Sequence, residues 1–217
     1  MTTSEEIGKQ QAEKTQRELD QLQAQVYSAT NVESRKWQHP EGYKFLAPWA
    51  NAVLLRRLIR EFTKTLPSSE YRGKAQTNDA ARSIVANIEE GYKRATTEEY
   101  LAFLGYSQGS LEEVKGDTRR YFQDGYLKSR PGSGLTDVGI DLKEIKGLLE
   151  KSKGEISLSL LYPPLKYLKG SDLTLEMFLE LINKTDWLLR RLVQSLEKKK
   201  VSDEEKKKLK IASYRRY

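Results

Sequence analysis

The 217 residues carry 38 lysines and arginines against 31 carboxylates, a net charge of +7, with 37% apolar and 32% charged residues and no cysteine. The lack of cysteine removes disulfides, thiolate nucleophiles and sulfur-ligated metal sites. No apolar run approaches the ~20 residues that cross a bilayer and the start lacks the apolar stretch of a secretory signal, so a cytoplasmic protein without membrane contact is expected.

In chain order, residues 1–36 are rich in Gln, Glu and Lys, and only Leu19, Leu22 and Val26 keep a 3,4 spacing. That pattern predicts a polar helical or disordered arm, ordered only where something covers it. The remainder divides into an all-α core over 37–199, interrupted by an insertion at 128–170, and a basic tail over 200–217. Helix begins near Pro48, a residue tolerated in a first turn, and stops before Pro67. Its buried face is Leu55, Leu58, Ile59, Phe62 and Leu66. Opposite them, Arg56, Arg60 and Lys64 recur every four residues beside Arg57, a basic stripe or simply a solvated face.

The second helix presents Ala80, Ala81, Ile84, Val85 and Ile88 to the core and is expected to end at Gly91 as a left-handed cap. Thr96 and Glu99 form a capping box for a third helix running to Gly125. Tyr100, Leu104, Ser107, Leu111, Val114, Thr118 and Tyr121 alternate in steps of four and three, the seam of a near-parallel helical bundle. Gly105, Gly109 and Gly116 each cost about 1 kcal/mol in a helix interior, which predicts compensating close contact or a bend.

The insertion opens on Ser129 to Gly134, a flexible loop by composition, followed by a short helix with Ile145, Leu148 and Leu149. Pro163 and Pro164 forbid helix, and Ile156, Leu158 and Leu160 alternate as an extended segment would. Ser171 or Asp172 is expected to cap the last helix, whose stripe is Leu175, Phe178, Leu179, Ile182, Leu189, Leu192, Val193 and Leu196. Trp187 and Leu188 widen it toward the insertion or another subunit.

Charge concentrates at the end. From residue 198 onward nine cations, among them Lys206, Lys207, Lys208, Lys210, Arg215 and Arg216, face three carboxylates, giving +6 and leaving +1 upstream. Such a block attracts polyanions through counterion release without reading sequence, or is a solvated end.

Catalytic chemistry finds little support. His39, the sole histidine, precedes Pro40 in a polar connector. Glu89, Glu90, Glu112, Glu113 and Asp117 are the candidates for a cation, with ion pairs to Arg82, Lys115, Arg119 and Arg120 as the alternative. No phosphate-binding glycine loop is present, and no cofactor is expected. Asn87 and Ser110 sit beside apolar positions, where a hydrogen-bonded contact with Glu90 or Glu113 would satisfy them.

The run Ser83-Ile84-Val85-Ala86-Asn87-Ile88-Glu89-Glu90-Gly91, followed by Tyr100-Leu101-Ala102-Phe103-Leu104 and Gly109-Ser110-Leu111-Glu112-Glu113, resembles a four-helix-bundle protein family. It includes proteins encoded in intervening sequences of large-subunit ribosomal RNA and accessory variability determinant proteins of diversity-generating retroelements. The likeness covers residues 43–127, with 171–199 a weaker fourth helix. It implies an up-and-down bundle, a non-enzymatic homo-oligomer (a pentamer) whose basic surface holds RNA or DNA, and, in the retroelement branch, a reverse transcriptase partner. Arg56, Arg57, Arg60, Lys64, Arg82 and the tail cations are the contacts expected. A scaffold that binds only protein is the alternative.

Overall fold

The computed structural model describes residues 40–151 and 164–214. The arm, His39, the stretch 156–160, Arg215 and Arg216 lie outside them. Among the described residues regular structure is helical: α1 (Ala47–Thr63), α2 (Tyr71–Lys93), α3 (Thr97–Gln123), α4 (Leu142–Lys151), the single turn α5 (Pro164–Tyr167) and α6 (Leu175–Tyr214). No described helix is long and apolar enough to cross a membrane.

The predicted apolar stripes are the core. Leu55, Leu58, Ile59 and Phe62 of α1 are buried, as is Leu66 beyond its end. All seven positions of the α3 seam are buried. The capping box forms, with the Glu99 amide donating to Thr96 Oγ1 at 3.1 Å and the Thr96 amide to Glu99 Oε2 at 3.2 Å. Each long helix packs on two others: α1 on α2 and α6, and α3 on α2 and α6. Where α1, α3 and α6 meet, the Phe62 ring lies edge-to-face with Tyr121 at 5.3 Å and with Phe178 at 5.8 Å. A buried phenylalanine of this kind contributes about 1.5–3 kcal/mol by leaving water.

Several expectations are corrected. Helix α2 continues past Gly91 to Lys93. Gly91 is buried within it because a Cβ there would lie 2.7 Å from Phe103 Cβ and 2.8 Å from Tyr100 Cδ2. The glycine serves interhelical approach, not capping. Conversely, Gly105 and Gly109 face open space and Gly116 meets only the Arg120 side chain, so no close helix contact explains them. Gly125, just past the end of α3, does take the left-handed conformation at φ +79°.

The insertion is built into the core: Leu135, Ile140, Ile145 and Leu165 are buried. Its short helix forms as α4, and Pro164 opens α5 instead of barring it, since proline fits a first helical position. The segment after Lys128 is a hydrogen-bonded loop and not a loose one. Lys128 forms a parallel bridge with Thr174, and the Leu175 amide donates to Lys128 O at 3.0 Å. Ser133 and Thr174 hydroxyls meet at 2.8 Å, and the Arg130 and Leu135 amides donate to Glu176 and Glu180 at 2.9 and 2.8 Å.

Thr174, not Ser171 or Asp172, caps α6, accepting from the Met177 amide at 3.4 Å. Ser171 and Asp172 sit in a 3₁₀ turn, where Gly170 lies against the α1 backbone at Glu61. The basic tail expected over 200–217 is helical as far as Tyr214. No glycine or proline occurs between Leu175 and Tyr214, and α6 runs unbroken through 40 residues, about 60 Å.

Candidate nucleic-acid interface

The basic stripe of α1 divides in two. Arg56 and Arg60 are exposed and have no ion pair among the described residues. Arg57 and Lys64 converge on one carboxylate: Glu61, only 9% exposed, receives Arg57 Nη2 and Lys64 Nζ, each at 2.9 Å. The i,i+4 and i,i+3 spacings put all three on one helical flank. Arg57 is therefore tied down, with its Nε buried and without a partner among the described residues. Arg60, in the last turn, complements the carbonyl end of the helix dipole.

Arg82 is exposed on α2 and lies 3.6 Å from Asp79, a surface pair that only partly masks its charge. Asn78, its neighbour by one turn, bridges helices: its Nδ2 donates to Thr63 Oγ1 at 2.9 Å and to Lys74 O at 2.7 Å.

The C-terminal cations ride on α6. Leu196 is the last buried side chain among those described, and Lys200 reaches back to Glu98 at 3.6 Å. Beyond, Lys206 and Lys208 are exposed. Lys207 and Lys210 lie on the same helix by backbone.

The carboxylates considered for a cation are dispersed. Glu89 accepts from Trp49 Nε1 at 2.9 Å, Glu90 lies 3.5 Å from Arg94, Glu112 lies 3.5 Å from Lys115, and Asp117 pairs with Arg120. Glu113 is exposed. Among the described residues no group of three or more His, Cys, Asp or Glu is placed to hold a metal ion.

Asn87 and Ser110 are half-buried, but the polar links between α2 and α3 are made elsewhere. Ser107, fully buried, donates to Ile84 O at 3.0 Å. Thr77 Oγ1 lies 2.7 Å from Asp117 Oδ2 and 3.2 Å from the Tyr121 hydroxyl. Burial pushes the Tyr121 phenol above its ordinary range, outweighing the hydrogen bond with Thr77. Along the sequence Ser107 and Thr118 simply fall on the α3 seam, with nothing to give either hydroxyl a task. Thr77 is separated from its partners by 40 residues and more, so no local pattern marks it.

Two open hollows border these surfaces. One, of about 470 Å³, mixes Lys128 and Arg130 with Asp137 and Asp172, so it has no strong preference of sign. The other, of about 500 Å³, is apolar and lies between α1, α4 and α6.

No curated protein and no solved structure gives a significant match. Residues 44–150 match the model of the 23S rRNA-intervening sequence protein family. That segment spans α1 to α4 and includes both motifs on the paired helices α2 and α3. Over that segment, the chain is similar to the 23S rRNA-intervening sequence protein family.

Proposed function

We propose that the protein is a non-catalytic, oligomeric four-helix bundle of up-and-down topology that engages structured RNA through phosphate contacts. One observation carries this reading: α6 continues past the last buried core position as a cation-rich helix, with Lys206 and Lys208 turned to solvent. From Leu196 to Tyr214 the helix advances about 27 Å, enough to lie along many phosphates. Arg56, Arg60 and Arg82 supply further charge at fixed positions. Contacts of this kind position a nucleic acid without reading its bases.

The family's association with an intervening sequence of 23S rRNA supports RNA over DNA as the ligand. Resemblance to the wider family supports assembly into a pentamer and, as a further partner, a nucleic-acid enzyme such as a reverse transcriptase. A second reading, a protein-interaction scaffold, is favoured by Arg57, Lys64 and Arg82 already facing carboxylates.

Titration of an RNA hairpin across a potassium chloride series separates the two. Replacing Lys206, Lys207, Lys208 and Lys210 by glutamine lowers the slope of log affinity against log salt by about 0.7–0.9 per lost phosphate contact. Absence of binding at low salt leaves the scaffold. Light scattering of the same sample gives the subunit number.

A further inference from the structure

At about 500 Å³, the apolar hollow between α1, α4 and α6 falls within the roughly 300–1,000 Å³ typical of small-ligand sites. Trp187, which lines it, is 59% exposed, and the Arg191 guanidinium stands 5.4 Å from its ring centre. Asn51 lines it too; it is only 6% exposed, and its amide makes no hydrogen bond among the described residues. Exposed Asn183 adds a second amide. Lys143 is exposed with no ion pair among the described residues, whereas Lys184 is held by Glu180. An aliphatic ridge from a protein partner would cover the Asn51 amide and leave it unpaired, the costly way to bury a polar group. A planar heterocycle meets both demands, because its face stacks on an aromatic ring while its edge donates and accepts hydrogen bonds.

We infer that this hollow receives one unpaired nucleobase of a bound RNA, an adenine, stacked on Trp187 with its edge hydrogen-bonded to Asn51. An amide side chain presents one donor beside one acceptor, the pattern that adenine matches through N6 and N7. Lys143 and Arg191 are the cations left for phosphate. Two of them suit the single charge on each linkage of a strand and are too few for the clustered charge of a free nucleoside triphosphate, which selects RNA as the source of the base. From Trp187 to Lys206, α6 advances about 28 Å, so one hairpin stem reaches the hollow and the lysine-rich end together. The inference rests on the RNA-binding reading and adds to it a position that discriminates: an extruded base enters the hollow and a paired one does not.

The probes are an RNA hairpin with a single bulged adenine in its stem and the same hairpin fully paired, both titrated at low potassium chloride. The bulged hairpin is expected to bind about 5- to 150-fold tighter, the range that one stacked base supplies. In a W37F background it also shields Trp187 from acrylamide, while buried Trp49 contributes equally throughout. W187A removes the advantage of the bulge and W187F keeps part of it. Asn51→Leu narrows the preference for a bulged adenine over a bulged uracil and raises the urea midpoint of the free protein, because it removes a buried amide that lacks a partner. A lowered midpoint would make the amide structural and overturn its role. Replacing Lys206, Lys207, Lys208 and Lys210 by glutamine weakens both hairpins and keeps their ratio. Equal affinity for bulged and paired hairpins overturns this inference and leaves RNA binding standing; no binding of either at low salt overturns both. Shielding of Trp187 that grows with protein concentration in the absence of RNA gives the hollow to a second copy, and overturns it as well.

Discussion

Gly91 of α2 lies so close to Phe103 of α3 that an added Cβ would stand 2.7 Å from the phenylalanine Cβ. Neither atom is the end of a flexible side chain, so relief requires the helices to part. Gly91→Ala is expected to destabilise by about 1–3 kcal/mol through overpacking. Gly105→Ala and Gly109→Ala, in open space on α3, stabilise by about 0.5–1 kcal/mol each, the ordinary gain of removing glycine from a helix interior. Urea midpoints of the three variants, at unchanged m-value, check the contrast.

Glu176 and Glu180 hold the loop after Lys128. Burial raises both carboxyls, but hydrogen bonds overcome it: Ser129 and the Arg130 amide for Glu176, and Lys184 and the Leu135 amide for Glu180, leave each below its ordinary range. A carboxyl depressed on folding contributes stability that is present above its unfolded pKa and lost as pH falls through the folded one. Stability is therefore expected to fall on acidification below the ordinary carboxylate range. Glu180→Ala costs about 1–3 kcal/mol at neutral pH and flattens that acid limb. Thermal midpoints between pH 7 and pH 3 measure both effects.

Thr77 satisfies two partners at once, Asp117 and Tyr121, inside the contact of α2 with α3. Thr77→Val keeps the shape and removes the hydroxyl, which costs about 1–3 kcal/mol by stranding polar groups. Adding Tyr121→Phe removes one of the stranded groups, so the double variant loses less than the two singles summed. Additivity in that cycle would show that the hydroxyls do not cooperate.

The α1 stripe separates by variant. Arg57→Gln deprives Glu61 of one of its two cations and costs about 1 kcal/mol. Arg56→Gln and Arg60→Gln leave stability within about 0.5 kcal/mol, as for unpaired surface residues. Under the RNA-binding proposal they instead weaken affinity for an RNA hairpin and reduce its salt dependence. Denaturation and binding titrations on the same three proteins read the two effects apart.

What the sequence revealed follows the range over which each signal acts. The α3 seam from Tyr100 to Tyr121 was legible in full because burial on a helix repeats at a fixed spacing. The short helix around Ile145 was legible for the same reason. Gly91 was misread because a glycine that ends a helix and one that admits a neighbour look alike along the chain; only Phe103, brought in by α3, distinguishes them. Glu176 and Glu180 were invisible as loop ligands, since their partners lie some 45 residues upstream. The Glu61 pairing lies at i,i+4 and i,i+3 along the chain, but spacing alone leaves the stripe open between a basic contact face and a solvated one. Charge counting could not distinguish a tail from a helix after Lys200, because lysine and glutamate favour helix as readily as they favour water.

The parallel bridge between Lys128 and Thr174 brings together the strand of chain leaving α3 and the one entering α6. The described residues between them, 129–151 and 164–173, form a lasso fastened at its neck. A single protease cut inside the lasso would not free either piece: the fragments would elute as one particle and separate only in denaturant. Nature or an engineer can thus lengthen that excursion without shifting the register of the helices that it joins.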